Sequence, residues 1–272
     1  MKLCYQIATP DVRKSAAVTS YQEELEKTFS TLCDLGYEGV ELMSRNPKEL
    51  DWDRIRSLSR QFNLEIVMIC TGEVFGQDGL TLTHPNTEVR ELAFKRAKEL
   101  IDFAAFFSAN INIGRFRGQY VEARPDEETY ALAVEVIREL ARYAESKGVT
   151  IVIEPVTMLQ TNFINSTSEA IELIEKVDEP AFKLMIDIYH SNIEDKCICE
   201  SIRESKGHLA HMHFADNNRR IPGTCGLDFK KIVDTLREIN YEGPVALEMF
   251  QLPDQHTAAR KSSEFLKPLI HS

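Results

Sequence analysis

The sequence is short of several features that mark whole classes of protein. No apolar run approaches the roughly 20 residues of a membrane span, and the opening Met1-Lys2-Leu3-Cys4-Tyr5 has no signal-peptide core. A cytoplasmic protein with no membrane partner is therefore expected. Basic residues are outnumbered, 32 Lys+Arg against 43 Asp+Glu, for a net charge of −11. Such a surface repels phosphate backbones, which argues against a nucleic-acid partner. The six cysteines (Cys4, Cys33, Cys70, Cys197, Cys199, Cys225) include no C-x-x-C pair. They read as reduced packing residues rather than a zinc or redox site. No Gly-rich dinucleotide fingerprint follows an early apolar run, which disfavours a doubly wound nucleotide-binding sheet. No Pro/Ser/Gly-rich linker breaks the chain, so residues 1–272 read as one domain.

What the sequence does contain is an alternation. Eight short apolar runs recur, at 2–8, 38–42, 65–70, 110–114, 150–154, 182–187, 208–214 and 245–249. Val, Ile and Leu dominate most of them, as in parallel strands covered on both faces. Between them lie stretches of helical period. Val89, Leu92, Ala93, Ala97, Leu100, Ile101 and Ala104 form one apolar stripe, and Leu132, Val136, Leu140 and Tyr143 another. Gly36, Gly148, Gly207 and Asn240 stand where helices stop, and Ser166 with Glu169 reads as a capping box. Eight such units, within the usual length of the fold, predict an α/β single (β/α)8 TIM barrel.

A barrel of this kind carries its chemistry at the C-terminal ends of the strands. Four consecutive runs supply a metal-ligating side chain there: Glu154, Asp187, His213 and Glu248. One buried acid at a strand end has an ordinary explanation in an ion pair; four on adjacent strands converge on one mouth. Three carboxylates and an imidazole suit one divalent ion, Mn²⁺ first and otherwise Mg²⁺, Co²⁺ or Zn²⁺. His190, three residues past Asp187, is expected to face substrate. His211, two before His213, shares its side of the strand one layer deeper. Arg219 leaves the His213 strand, and Arg115 and Arg117 leave the fourth; all three are candidate clamps for an anionic substrate group.

These segments resemble the xylose isomerase-like barrel superfamily, which includes endonuclease IV, and within it the ketose 3-epimerases. The resemblance rests on Val152-Ile153-Glu154-Pro155, on Asp187-Ile188-Tyr189-His190 through Glu194, and on His211-Met212-His213 through Arg219. The run from Pro222 to Phe229 and Glu248 after Gly243-Pro244 complete it. It implies Glu154, Asp187, His213 and Glu248 as metal ligands, Glu154 and Glu248 also as the acid/base pair, and His190 and Arg219 on substrate oxygens. Gln160 falls where some 3-epimerases place a second substrate-contacting Glu. The stretches 71–86 and 160–166, together with Arg117, resemble the 5-keto-L-gluconate epimerase branch, which implies a keto-sugar acid as substrate. An endonuclease IV-like nuclease needs further histidines at the third and fourth strand mouths, where Thr71-Gly72-Glu73 and Arg115-Phe116-Arg117 stand instead.

The expected activity is therefore inversion of the carbon beside a keto group, at C3, through an enediolate. One glutamate removes a proton and the other returns one to the opposite face. Three alternatives stay open: an aldose–ketose isomerase of the hydroxypyruvate isomerase type, a sugar-acid dehydratase, and a sugar-binding barrel without catalysis. A homo-oligomer is an open expectation too, with Trp52, Phe75 and Phe116 as apolar residues that serve either an interface or a barrel end.

Overall fold

The computed structural model describes residues 1–272. Eight strands run in chain order: β1 (Lys2–Ala8), β2 (Gly39–Met43), β3 (Glu65–Cys70), β4 (Asn110–Ile113), β5 (Ile151–Ile153), β6 (Phe182–Asp187), β7 (Leu209–Phe214) and β8 (Pro244–Leu247). Each pairs in parallel with the next, and β8 pairs back onto β1, closing the barrel. The expected fold is the observed one, with strand ends shifted by a residue or two; β8 stops just before Glu248.

Ten helices surround the strands. They are α1 (Leu25–Asp34), α2 (Trp52–Phe62), α3 (Gly72–Asp78), α4 (Thr87–Phe107), α5 (Asp126–Ser146), α6 (Thr167–Val177), α7 (Ile188–Glu194), α8 (Ile198–Glu204), α9 (Phe229–Glu238) and α10 (Gln255–Ile270). None is long and apolar enough to cross a membrane. The short helix α3 lies within the stretch 71–86. The punctuation holds: Gly36, Gly148, Gly207 and Asn240 all have positive φ, and Ser166 and Glu169 form the reciprocal capping box of α6.

Between strands and helices lies a core of 63 buried residues. Two stripes differ in detail from the sequence reading. Leu92 is exposed, and α5 buries Ala133, Ile137, Leu140, Ala141 and Ala144 rather than Leu132 and Val136. All six cysteines are free. Phe116 is buried, Trp52 packs on Phe103 and Phe106, and Phe75 lies beneath Arg115, so each of these aromatics is accounted for within the chain.

The barrel interior explains where the site sits. Cys4, Val67, Met68, Val152, Met185 and Ala246 form a separate apolar plug. Residues two apart on a strand share a face. Val152 is thus followed on the inward face by Glu154, Met185 by Asp187, and Ala246 by Glu248. An apolar floor and a polar mouth come from one alternation.

Candidate metal centre and substrate cavity

Glu154 follows β5, Asp187 ends β6, His213 lies in β7 and Glu248 follows β8. All four are buried, and one ligand atom from each lies within 4.8 Å of the others. His213 Nδ1 is 3.0 Å from Glu248 Oε2 and 3.8 Å from Glu154 Oε1. Asp187 is anchored by its place at the start of α7, where Oδ1 accepts the Tyr189 amide at 2.8 Å. Its Oδ2 is buried without a hydrogen-bond partner, although Arg219 Nη2 stands 3.3 Å away at ion-pair range. An orphaned carboxylate oxygen facing two more carboxylates and an imidazole nitrogen is a donor set that fits a hard divalent cation.

Three side chains not singled out by sequence fix these groups. Thr19, in the loop after β1, donates its hydroxyl to Glu248 Oε1 at 2.7 Å. Asn112 on β4 donates to Glu154 Oε2 at 3.2 Å while its own oxygen accepts the Thr71 amide. Glu41 on β2 accepts from Gln6, and its second oxygen meets the Nε2 atoms of both His211 and His213 at 2.9 Å. His211 is therefore in the deeper layer that its spacing implied. A signal for Glu41 existed, an acid inside the apolar run Val40-Glu41-Leu42, but its partners lie far along the chain.

Arg219 has a left-handed backbone, with φ of 56°, in a loop organised by Asp216. That carboxylate accepts the amides of Asn217, Cys225 and Gly226, and the Arg219 amide bonds the Asp216 carbonyl. The guanidinium is thereby turned back over the site. It reaches Glu248 Oε2 at 2.7 Å and His190 Nε2 at 3.1 Å, and it covers the Tyr189 ring. His190 Nδ1 receives the Thr157 amide at 3.3 Å, which leaves Nε2 as the atom turned towards Asp187 and Glu154.

The surroundings push the two glutamates apart. Burial, reinforced by the Glu248 charge, raises Glu154 to about 8. Burial acts on Glu248 in the same direction, but Arg219 and His213 overcome it and hold that carboxyl well below the ordinary range. Burial also lifts Asp187 to about 6, against the pull of Arg219. His190 is held well below its ordinary value, first by burial and then by Arg219. His213 is raised well above it, because Glu41 and Glu248 outweigh burial.

Above these residues opens a cavity of about 630 Å³. Glu154, Glu248, His190, Arg219 and Gln160 line it, joined on the outer side by Arg13, Lys14, Glu73 and Arg115. Arg117 is absent from this lining, contrary to the expectation from sequence. It is fully buried behind the β5 mouth, and its guanidinium donates to the carbonyls of Gly114, Glu154, Phe163 and Ile164. Arg117 ties the β4 and β5 loops together; Arg115 is the arginine that faces the cavity. Gly114 completes that wall, since a Cβ there would stand 2.7 Å from Glu154 Oε2.

A parallel eight-stranded barrel with a ligand-bearing mouth and an adjoining polar cavity defines the class. The chain belongs to the xylose isomerase-like TIM barrel family, whose profile it matches over residues 29–269. It is similar to D-psicose 3-epimerase of Ruminiclostridium cellulolyticum, 34% identical over 118 residues that cover 43% of this chain and 40% of that relative. This match thus spans less than half the length of the relative. L-ribulose 3-epimerase of Methylomonas sp. is 27% identical over 229 residues, covering 82% of this chain and 78% of the relative. In fold, the chain is similar to 3-keto-D-glucoside 4-epimerase of Escherichia coli, with a TM-score of 0.84, 22% identity, and 98% and 99% of the two chains covered. D-psicose 3-epimerase of Clostridium cellulolyticum with D-tagatose gives the same TM-score at 19% identity over 99% of each chain.

Proposed function

We propose that this chain is a divalent-metal-dependent epimerase of a keto-sugar or keto-sugar acid. It inverts the carbon next to the keto group, at C3, through an enediolate, with the whole chain acting as one barrel domain. The observation that carries the reading is the placement of Glu154 and Glu248. They come from strands on either side of Asp187 and His213, and both face the same cavity. The names of the relatives, all sugar epimerases, support the reaction class.

Glu154, Asp187, His213 and Glu248 are the residues that would hold the metal ion, with Mn²⁺ the first candidate among Mn²⁺, Mg²⁺, Co²⁺ and Zn²⁺. When bound, such an ion supplies charge stabilisation to oxygens beside the reacting carbon. The remaining work falls to the chain. One carboxylate of the pair takes the C3 proton, and the other, charged beforehand with a proton from solvent, returns it to the opposite face. Thr19 and Asn112 hold the two carboxylates in place. His190 offers Nε2, and Arg219 its guanidinium, to substrate oxygens. Gln160 contacts the far end of the sugar.

The substrate we favour is an acid, 5-keto-L-gluconate. Arg115 supports this: it lines the cavity stacked 5.1 Å over Phe75, with no carboxylate in ion-pair range. Arg13 and Lys14 add positive charge on the same side, against the single carboxylate of Glu73. We place the protein in the cytoplasm, acting on a small molecule and not on nucleic acid.

The deciding experiment incubates metal-loaded protein with 5-keto-L-gluconate and neutral ketoses in D₂O, following the C3 proton by NMR. Exchange with inversion that stops on chelation is the expected result, fastest with the acid. Exchange without inversion, or transfer to the neighbouring carbonyl carbon, would replace epimerisation by isomerisation.

A further inference from the structure

Glu41 is an acid inside the barrel that the proposed reaction leaves unused. It is fully buried on β2, and its partners come from across the interior. Oε1 accepts from Gln6 Nε2 on β1 at 2.9 Å. Oε2 meets two imidazoles of β7, His211 Nε2 and His213 Nε2, each at 2.9 Å. The two rings pack edge to face, 5.2 Å between centroids and 81° between planes. An ionised carboxylate has no hydrogen to donate, so both Nε2 atoms must carry theirs. The Nδ1 of His213 then remains as the nitrogen pointing at Glu248 and Glu154.

We propose that Glu41 is a positioning residue for the metal centre, a proposal that rests on the metal-site reading above. It holds His213 with its Nε2 proton inside the barrel and its Nδ1 facing the carboxylates, as the nitrogen that would ligate the ion. His211 and Gln6 are the clamps that keep the Glu41 carboxylate from turning away. A carboxylate behind a ligating imidazole fixes ring orientation and raises the basicity of the ligating nitrogen, typically strengthening metal binding by about 10–100-fold. A purely structural role would not require a carboxylate. A neutral amide of the same shape fills the same space without stranding a charge in the interior. The choice of an acid is what ties Glu41 to His213.

The test reads the metal alone. Binding of Mn²⁺ is measured by titration calorimetry with chelator competition for wild type, Glu41→Gln and Gln6→Met. Glu41→Gln is expected to bind Mn²⁺ about 10–100-fold more weakly while the metal-free protein still melts in one cooperative transition. Gln6→Met removes one clamp of the Glu41 carboxylate but leaves both Nε2 contacts, and is expected to weaken binding less than Glu41→Gln does. A second readout needs no variant. In the Zn²⁺-loaded wild type, long-range ¹H–¹⁵N NMR should show His213 protonated at Nε2, with that proton shielded from solvent. Mn²⁺ affinity unchanged in Glu41→Gln, or a bare Nε2 on His213, overturns the proposal. Should Glu41→Gln not fold, the NMR result decides. If wild type binds Mn²⁺ but epimerises no sugar, the functional reading fails while the Glu41 proposal is still judged on affinity.

Discussion

The Thr19 hydroxyl stands 2.7 Å from Glu248 Oε1, joining the loop after β1 to the residue after β8 at the seam where the barrel closes. Glu248 Oε2 is already engaged by His213 and Arg219, so Thr19 holds the other oxygen and fixes the plane of the carboxylate. Thr19→Val keeps the shape and removes the donor. A hydrogen bond to a charged group contributes about 1.5–3 kcal/mol. The expected outcome is a roughly 10-fold loss of kcat, with KM little changed and a melting temperature lowered by a few degrees. A larger effect on KM than on kcat would mean that Thr19 touches substrate instead.

Gly114 and Glu154 make the complementary case for close approach. The glycine has φ of −91° and ψ of −120°, and the space around it is what bears on Glu154. A Cβ there would press on Glu154 Oε2 at 2.7 Å and also approach Val156. Gly114→Ala should therefore push Glu154 off Asn112 and out of the ligand set. Overpacking of this kind typically costs about 1–3 kcal/mol. Mn²⁺ binding and proton exchange should fall together in calorimetry and in the D₂O assay. Retention of both would show that the wall of the cavity yields.

Much of this site was legible in the sequence because each ligand stands at or next to the end of an apolar run, where the strand period and the barrel's mouth leave little choice of position. Glu154, Asp187, His213 and Glu248 are brought together as that pattern requires. Glu41, Asn112 and Thr19 were hidden, since their roles depend on which strands face one another across the interior. Glu41 meets partners 170 and 172 residues away. Arg117 was misassigned, and Arg115 was not, for a local reason. They flank a 3₁₀ turn, Arg115–Arg117, where residues two apart point to different sides. One faces the cavity and the other is buried beneath it.

That difference in roles separates two variants. Arg117→Met removes the donors that serve four backbone carbonyls, each of which costs about 1–3 kcal/mol when left buried and unpaired. It should unfold at a markedly lower denaturant concentration, whatever the substrate. Arg115→Met should fold normally and raise KM for a keto-sugar acid by about 10-fold or more, with neutral ketoses unaffected. Denaturation curves and paired kinetics check both. An Arg115→Met enzyme that loses neutral and acidic substrates alike would show that the cavity does not select an anion.

The pH dependence follows from the raised Glu154 and the raised His213. A carboxyl at about 8 in the folded protein, against an ordinary 4.5, binds its proton more tightly folded than unfolded. Metal-free protein therefore loses stability as pH rises from about 4.5 towards 8. His213 adds to the same trend: its folded value lies above 6.5, so its contribution is complete below 6.5 and is lost above. Glu248 acts oppositely, since a depressed carboxyl gives stability above 4.5 that disappears in acid. The stability maximum should thus lie on the mildly acidic side of neutrality. A bound divalent ion takes the place of the Glu154 proton and of the His213 proton at Nδ1, so binding at pH 6.5 should release about two protons, with a further share from Asp187 as the pH falls towards 6, and should tighten as pH rises. Calorimetry at pH 6.5 in two buffers of different ionisation enthalpy measures that number directly. Heats that do not depend on the buffer would mean that Glu154 and His213 are already deprotonated before the metal arrives, and the assignment of Glu154 as the protonated partner of Glu248 in the metal-free protein would fall.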